Sequence, residues 1–309
     1  MALEPHAFGY LPDPAGAEAF ASTLPHPTLA QAGPDLVADG KTEAHLWPAL
    51  LQCSPNWKRG SQGQVGSCVG WGAALGVDFT AACDVVYRRE PEVWRGRTIE
   101  ASLYGFSRVE ARGQRVNNGG DGSTGFHAAK AIREFGCLHY GVEYGSTVIA
   151  ESNKAKRDRD WGRNGVPDEL EPYAKGRRCS EVTLATNFEQ AAAAIQNGYP
   201  VVVCSGQGFS MSRDDQGFCR PGGVWWHCMC LCAVRWDRPG LLCCNSWGDS
   251  NTVGKHYPET MPTAVRNCSF WIDADVCTRM LSGRDSYVYA GYSGFKRTQI
   301  PDWTGGILG

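Results

Sequence analysis

Three short segments of this 309-residue chain carry residue types that can make and break acyl bonds. They are Gln62-Gly63-Gln64-Val65-Gly66-Ser67-Cys68, Trp226-His227-Cys228 and Asn245-Ser246-Trp247-Gly248. A thiol attacks a carbonyl well only as thiolate, and an isolated cysteine is mostly protonated at neutral pH. A neighbouring imidazolium and a helix N-terminus both lower its pKa. Cys68 has the local sequence for the second effect. Gly66 and Ser67 permit a tight turn, and Val69-Gly70-Trp71-Gly72-Ala73-Ala74-Leu75 reads as a buried helix, which places the thiolate at the positive end of the helix dipole. His227 can supply the imidazolium and then give its proton to a leaving amine. Each segment also has a plainer reading. Free cysteine is usually a small core hydrophobe, a histidine in an apolar run is often a core residue, and Asn-Ser-Trp-Gly fits an ordinary turn.

Taken together, the order Gln62, Cys68, His227, Asn245 in these local contexts resembles the papain-like cysteine peptidases. The resemblance implies an α+β fold of two lobes with the active site in the groove between them. A helical lobe would hold Cys68, and a β-barrel-like lobe would hold His227 and Asn245. It implies a peptidase in which Cys68 forms an acyl thioester and His227 moves the proton. Asn245 would orient the imidazole, and Gln62 with the Cys68 backbone N–H would meet the developing oxyanion. Trp247 would shield the His227–Asn245 bond from water. The substrate would be a peptide or protein, and no metal or other cofactor is implied. The papain signature places its His and Asn roughly 130–150 residues after the nucleophile. Both separations are longer here, and the surplus fits an inserted surface loop over the charged stretch Glu151–Arg178.

Gly122 and Ser123 match the family's Gly-rich loop, which lines the groove and pairs with substrate backbone, though a plain turn fits them equally well. Trp225 and Trp226 should border the groove, and strand alternation lets one of them cover the β lobe instead. Two departures stand out. Val69 follows the nucleophile where the family has tryptophan, and Asp249-Ser250-Asn251 replaces a second Trp-Gly.

The chain is 42% hydrophobic and 20% charged with a net charge of −2, which suits a globular protein and gives no sign of a nucleic-acid partner. No apolar run reads as long enough to span a bilayer, so no membrane association is expected. The start Met1-Ala2-Leu3-Glu4-Pro5-His6 lacks the pattern of a signal peptide. A cytoplasmic location with free cysteines is the expectation, a viral particle the alternative. A metal reading of Cys228, Cys230 and Cys232 with Cys243-Cys244 lacks the usual zinc spacing, so these read as core residues.

Residues 1–45 are Pro-broken and acidic and read as an extended arm, too short for the helical inhibitory prosegment of family zymogens. The peptidase domain is expected over 46–282, with the helical lobe about 46–145 and the β lobe about 146–282. Helices are expected from Ser67 toward Tyr87, over His127–Phe135, and after a capping box at Thr186-Asn187-Phe188-Glu189. Strands are expected at Pro200–Cys204, Val224–Val234, Leu241–Cys244 and Phe270–Ile272. Residues 283–309, with Tyr287, Tyr289, Tyr292, Phe295 and Trp303, read as an aromatic tail.

Two classes of function follow. One is a peptidase of bacterial or bacteriophage type. The other is an interaction protein of the same fold, docked into a larger assembly through its arms. Amidase, cell-wall hydrolase or transglutaminase chemistry fits less well, because the Gln62 to Cys68 spacing belongs to the peptidase pattern.

Overall fold

A computed structural model describes residues 7–113, 120–248, 252–291 and 294–303. Asn117-Asn118-Gly119, which with Gly120-Asp121-Gly122 read as a loop in the sequence, lie outside the described residues, as do Asp249-Ser250-Asn251 and Tyr292. Eleven α-helices and nine strands occur among the described residues. The helices are α1 Pro14–Ser22, α2 Leu29–Ala32, α3 Trp47–Cys53, α4 Cys68–Cys83, α5 Glu100–Arg108, α6 Gly125–Glu134, α7 Lys154–Asn164, α8 Glu171–Lys175, α9 Phe188–Gln196, α10 Thr263–Arg266 and α11 Ala274–Leu281. The strands are β1 Ala44–His45, β2 Glu143–Tyr144, β3 Thr147–Val148, β4 Glu181–Leu184, β5 Val201–Arg213, β6 Cys219–Arg235, β7 Gly240–Cys244, β8 Ser269–Asp273 and β9 Tyr287–Ala290.

An antiparallel sheet in the order β4-β9-β5-β6-β7-β8, with β1 added to β6, forms one side of the molecule. This is an α+β fold. The order leaves β4 and β8 as edges, so the sheet is open and not the closed barrel expected for this lobe. Its strands are apolar on both faces because α4 and α9 pack against it. Helix α4 is the central helix. All but one of its residues are buried, and its glycines let neighbours approach closely. A Cβ on Gly72 would lie 2.7 Å from the Cys228 sulfur, and one on Gly76 2.6 Å from the Val202 side chain. The stretch Cys68–Arg88 is apolar and long enough to span a bilayer, contrary to the expectation that no run would be, but 83% of an 18-residue window within it is buried inside the fold.

Three stretches depart from expectation. The N-terminal arm is packed, not extended. Asp13 caps α1 by accepting the Gly16 N–H at 2.9 Å, and Ala17, Phe20, Ala21 and Leu24 enter the same core as Cys68. The segment 151–178 is helical where a surface loop was expected. Trp161, Val166, Leu170 and Ala174 bury an apolar face against α5, which places the segment with the helical side and moves the β side's start to β4. The tail begins with β9, which pairs with both β4 and β5 inside the sheet. Beyond it the Trp303 N–H donates to the Glu43 carbonyl, and its ring stacks on His45. The alternation of apolar and polar residues that signals a half-exposed strand is absent from Tyr287-Val288-Tyr289-Ala290 because all four are buried. The predicted capping box is also shifted by one residue: Asn187 caps α9 by accepting the Gln190 N–H.

Candidate active site

Cys68 is the first residue of α4, as its Gly-Ser approach predicts. The start of that helix is fixed by a residue from the inserted segment. Asp158 on α7 is buried, and its Oδ2 accepts the Ser67 hydroxyl at 2.6 Å and the Trp71 indole N–H at 2.8 Å. Arg59 ties the same turn to the third segment, donating to the Trp71 carbonyl at 3.0 Å and the Asn245 carbonyl at 2.9 Å. Neither residue has a sequence signal, since a charged residue in a charged stretch looks solvated until its partners are known.

Asp158→Ala strands two buried donors and should cost about 2–4 kcal/mol of stability. Burial lifts the Asp158 carboxyl to about 7, against an ordinary aspartate value of 3.8. The folded chain therefore keeps a proton that the unfolded chain releases, and this group's stabilisation, full below the unfolded value, is lost as pH rises toward 7. Asp158→Asn, which keeps an acceptor without the charge, should gain on the wild type in thermal melts as pH is raised from 5 to 8. A constant difference across that range would contradict the assignment.

His227 lies on β6 and Asn245 just after β7, and the sheet brings them together. The His227 Nε2 and the Asn245 Oδ1 are 2.8 Å apart. An amide oxygen only accepts, so Nε2 carries the proton and Nδ1 is the basic nitrogen. The Ser246 N–H also donates to Oδ1, at 2.7 Å, which fixes the amide's orientation. The Trp247 ring covers the imidazole at 4.6 Å between centroids, and Trp225 packs on Trp247 at 4.8 Å. The backbone N–H groups of Cys228 and Val69 lie close enough to the Cys68 sulfur to favour its thiolate. Cys228 directly follows His227, so thiol and imidazole share one end of the cleft.

Gln62 is buried beside them. The Ser246 hydroxyl donates to its Oε1 at 2.6 Å, which turns the amide nitrogen away. That nitrogen donates to the Val65 carbonyl at 2.8 Å and to the Ala7 carbonyl at 3.0 Å. Gly122 and Ser123 lie across the cleft from Trp226, which is 47% exposed and has a φ of +37°.

Between these two walls runs the chain's own residues 7–11. Their main chain pairs with Ser123: its N–H donates to the Gly9 carbonyl and its carbonyl accepts the Leu11 N–H, both at 2.8 Å. The Tyr10 N–H donates to the Trp226 carbonyl at 2.9 Å. Phe8 packs its ring on His227, Trp225 and Trp247. The Gly9 N–H points at the Cys68 sulfur. Gly9 passes so close to the turn before Cys68 that a Cβ on it would lie 1.8 Å from the Gly66 carbonyl oxygen. The groove is therefore filled, and burial beneath this segment pushes the Cys68 thiol well above its ordinary range, Cys228 adding to the effect. The carbonyl that reaches Gln62 and the N–H that reaches the sulfur sit two residues apart. The sulfur thus faces an N–H and not a carbonyl carbon it could attack. The arm expected to be too short for an inhibitory segment does fill the cleft. Five residues suffice because they bind through main chain and one small residue, which leaves no periodicity to read.

No protein-family model matches the chain, and no curated protein matches it by sequence. Solved structures do match in fold. The chain is similar to xylellain, a cysteine protease from Xylella fastidiosa, with a TM-score of 0.56 at 13% identity over 94% of this chain and 100% of that one. It is also similar to the procathepsin B S9 of Trypanosoma congolense, with a TM-score of 0.54 at 11% identity over 94% and 87% of the two chains. The ragweed pollen cysteine protease Amb a 11, in its proform, matches with a TM-score of 0.50 at 12% identity over 83% and 68%. The fold is that of the papain-like cysteine proteases.

Proposed function

We propose that the chain is a cysteine peptidase whose groove is closed, in the state described, by its own residues 7–11. The observation that carries this reading is the convergence of four residues. Cys68 heads a buried helix, His227 lies on the strand whose backbone passes its sulfur and is paired with Asn245, and the Gln62 amide N–H reaches into the same cleft. Once the arm leaves, His227 Nδ1 takes the thiol proton and the thiolate attacks a peptide carbonyl. The oxygen of that carbonyl, now negative, takes the Gln62 N–H that otherwise holds Ala7. The tetrahedral species collapses to a thioester as the imidazolium gives its proton to the leaving amine, and water completes hydrolysis by the reverse proton path.

The test is hydrolysis of fluorogenic peptide amides by the full chain. Asn245→Ala should lower kcat by about ten- to a hundredfold yet leave turnover, because the residue orients the ring and does no chemistry itself. An unchanged kcat would assign the orienting role elsewhere. Complete absence of hydrolysis by the wild type and by arm-displaced variants would sink the peptidase reading in favour of an interaction protein.

A further inference from the structure

Arg59 carries its charge deep inside the molecule. It is 2% exposed, and its side-chain hydrogen bonds among the described residues end on backbone carbonyl oxygens, not on a carboxylate. One acceptor is Trp71, in the first turn of α4 behind Cys68, and the other is Asn245. The guanidinium also lies 5.2 Å from the centre of the Trp71 ring. A guanidinium stays charged at any ordinary pH, and burying a charge without a countercharge is costly. A neutral glutamine amide would serve one such carbonyl at lower cost. What the guanidinium adds is a rigid planar fork that holds two acceptors at a fixed spacing. The chain beside it is built for this reach. Gly60 has a φ of +73°, and a Cβ on it would lie 3.4 Å from the Trp71 ring. Ser61 and Trp247 form an antiparallel bridge, the Gln62 N–H donates to the Ser246 carbonyl at 3.0 Å, and the Ser246 hydroxyl donates back to Gln62 Oε1 at 2.6 Å. Gln62 and Asn245 thus sit on one ribbon, and the Arg59 fork fastens that ribbon to the helix that carries Cys68.

We infer that Arg59 is a positioning residue, whose fork sets the spacing between the Cys68 thiol and the His227–Asn245 pair. The inference rests on the peptidase reading for the step it serves. Asn245 holds His227 through its Oδ1 at 2.8 Å. Asn245 is itself held in three ways. Its N–H donates to the Cys268 carbonyl at 2.7 Å, its Oδ1 accepts the Ser246 N–H at 2.7 Å, and its carbonyl accepts the Arg59 Nε–H at 2.9 Å. Of these three, the Arg59 bond is the one that leads to α4, because the same guanidinium reaches the Trp71 carbonyl at 3.0 Å. The acidity of a thiol depends on how near the imidazolium lies. A displacement of about 1 Å between reacting groups costs on the order of a hundredfold in rate. A side chain that fixes this spacing therefore acts on the chemical step and on thiolate formation, and leaves the binding of a peptide along Ser123 and Trp226 nearly untouched.

The pH dependence of Cys68 alkylation by iodoacetamide tests this without requiring catalysis. The full chain carries Gly9→Leu, whose side chain has no room beside the Gly66 carbonyl and so opens the groove. Each Arg59 variant is compared with that parent. Arg59→Lys keeps the charge and a donor but loses the fork. It should move the rise of the labelling rate about one pH unit upward, so that labelling at pH 6 falls roughly tenfold while labelling at pH 10 stays the same. Arg59→Gln, which removes the charge as well, should shift the profile to a similar extent. On a fluorogenic peptide amide, Arg59→Lys should lower kcat by about ten- to a hundredfold with KM nearly constant. A labelling profile identical to the parent's, with only the thermal midpoint lowered, overturns the inference. So does a profile shifted by glutamine and not by lysine, which would assign the effect to charge, and so does a raised KM at unchanged kcat. If Arg59→Gln does not fold, the Arg59→Lys profile alone decides. A shifted labelling profile without any hydrolysis would spare this inference and remove the peptidase reading. Hydrolysis with an unshifted profile and an unchanged kcat in Arg59→Lys would do the opposite.

Discussion

A Gly9→Leu protein should expose Cys68. The substitution places a side chain where a Cβ alone would lie 1.8 Å from the Gly66 carbonyl oxygen, and that backbone cannot retreat without moving the nucleophile's turn. The arm must therefore leave the cleft. It would give up the main-chain bonds to Ser123 and Trp226 and the Gln62 bond to Ala7. At about 1 kcal/mol for each net hydrogen bond, the closed state loses several kcal/mol. Labelling of Cys68 by iodoacetamide should rise on the order of a hundredfold or more, and any peptidase activity should rise with it. Two changes act together, access and acidity. The thiol is held above its ordinary pKa because it is buried, and uncovering it returns it toward the range in which His227 and the helix end can form a thiolate. Helix α1 is anchored by Phe20, Ala21 and Leu24, so the fold should persist, with a thermal midpoint shifted by only a few degrees. A Gly9→Leu protein whose Cys68 labels as slowly as the wild type would mean that the arm does not gate the site.

In that opened background, Cys68→Ala should abolish hydrolysis, a loss on the order of 10⁶-fold in kcat if the site works as a coupled unit. His227→Ala should cost nearly as much, and the double variant should be little worse than either single one. Additive losses would mean that the two side chains do not serve one step. Cys68 is buried and small, so the alanine protein should fold normally, and circular dichroism separates lost chemistry from lost structure.

The parts of this arrangement that were legible in the sequence are those set by local rules. The turn before Cys68 and the run Val69–Leu75 specify a helix start without reference to the rest of the chain. Val201-Val202-Val203 and Leu241-Leu242-Cys243 read as strands because both of their faces are apolar. Trp226 sits where its neighbourhood to His227 requires, beside the cleft. The remainder depends on partners distant in sequence. Asp158 looks like one charge among many until Ser67 and Trp71 are brought to it. Tyr287–Ala290 looks like a sticky tail until β4 and β5 close on either side of it. Residues 7–11 carry no signal, since what fits them to the groove is the absence of a side chain at Gly9 and main-chain bonding that any sequence could make. The inserted segment reads as a loop because its charges outnumber its apolar residues, yet Trp161, Val166, Leu170 and Ala174 share one buried cluster with Ala101 and Phe106 of α5.

The central claim is that Cys68, and none of the other thirteen cysteines, is an activated nucleophile. The most direct measurement is treatment of the Gly9→Leu protein with an epoxysuccinyl thiol inhibitor at neutral pH, followed by peptide mapping of all fourteen cysteines. The account predicts one adduct, on Cys68, formed fast in this protein, slowly in the wild type, and lost when His227 is replaced by alanine. Modification spread over several cysteines, or a Cys68 that stays unmodified with the arm displaced, would contradict it.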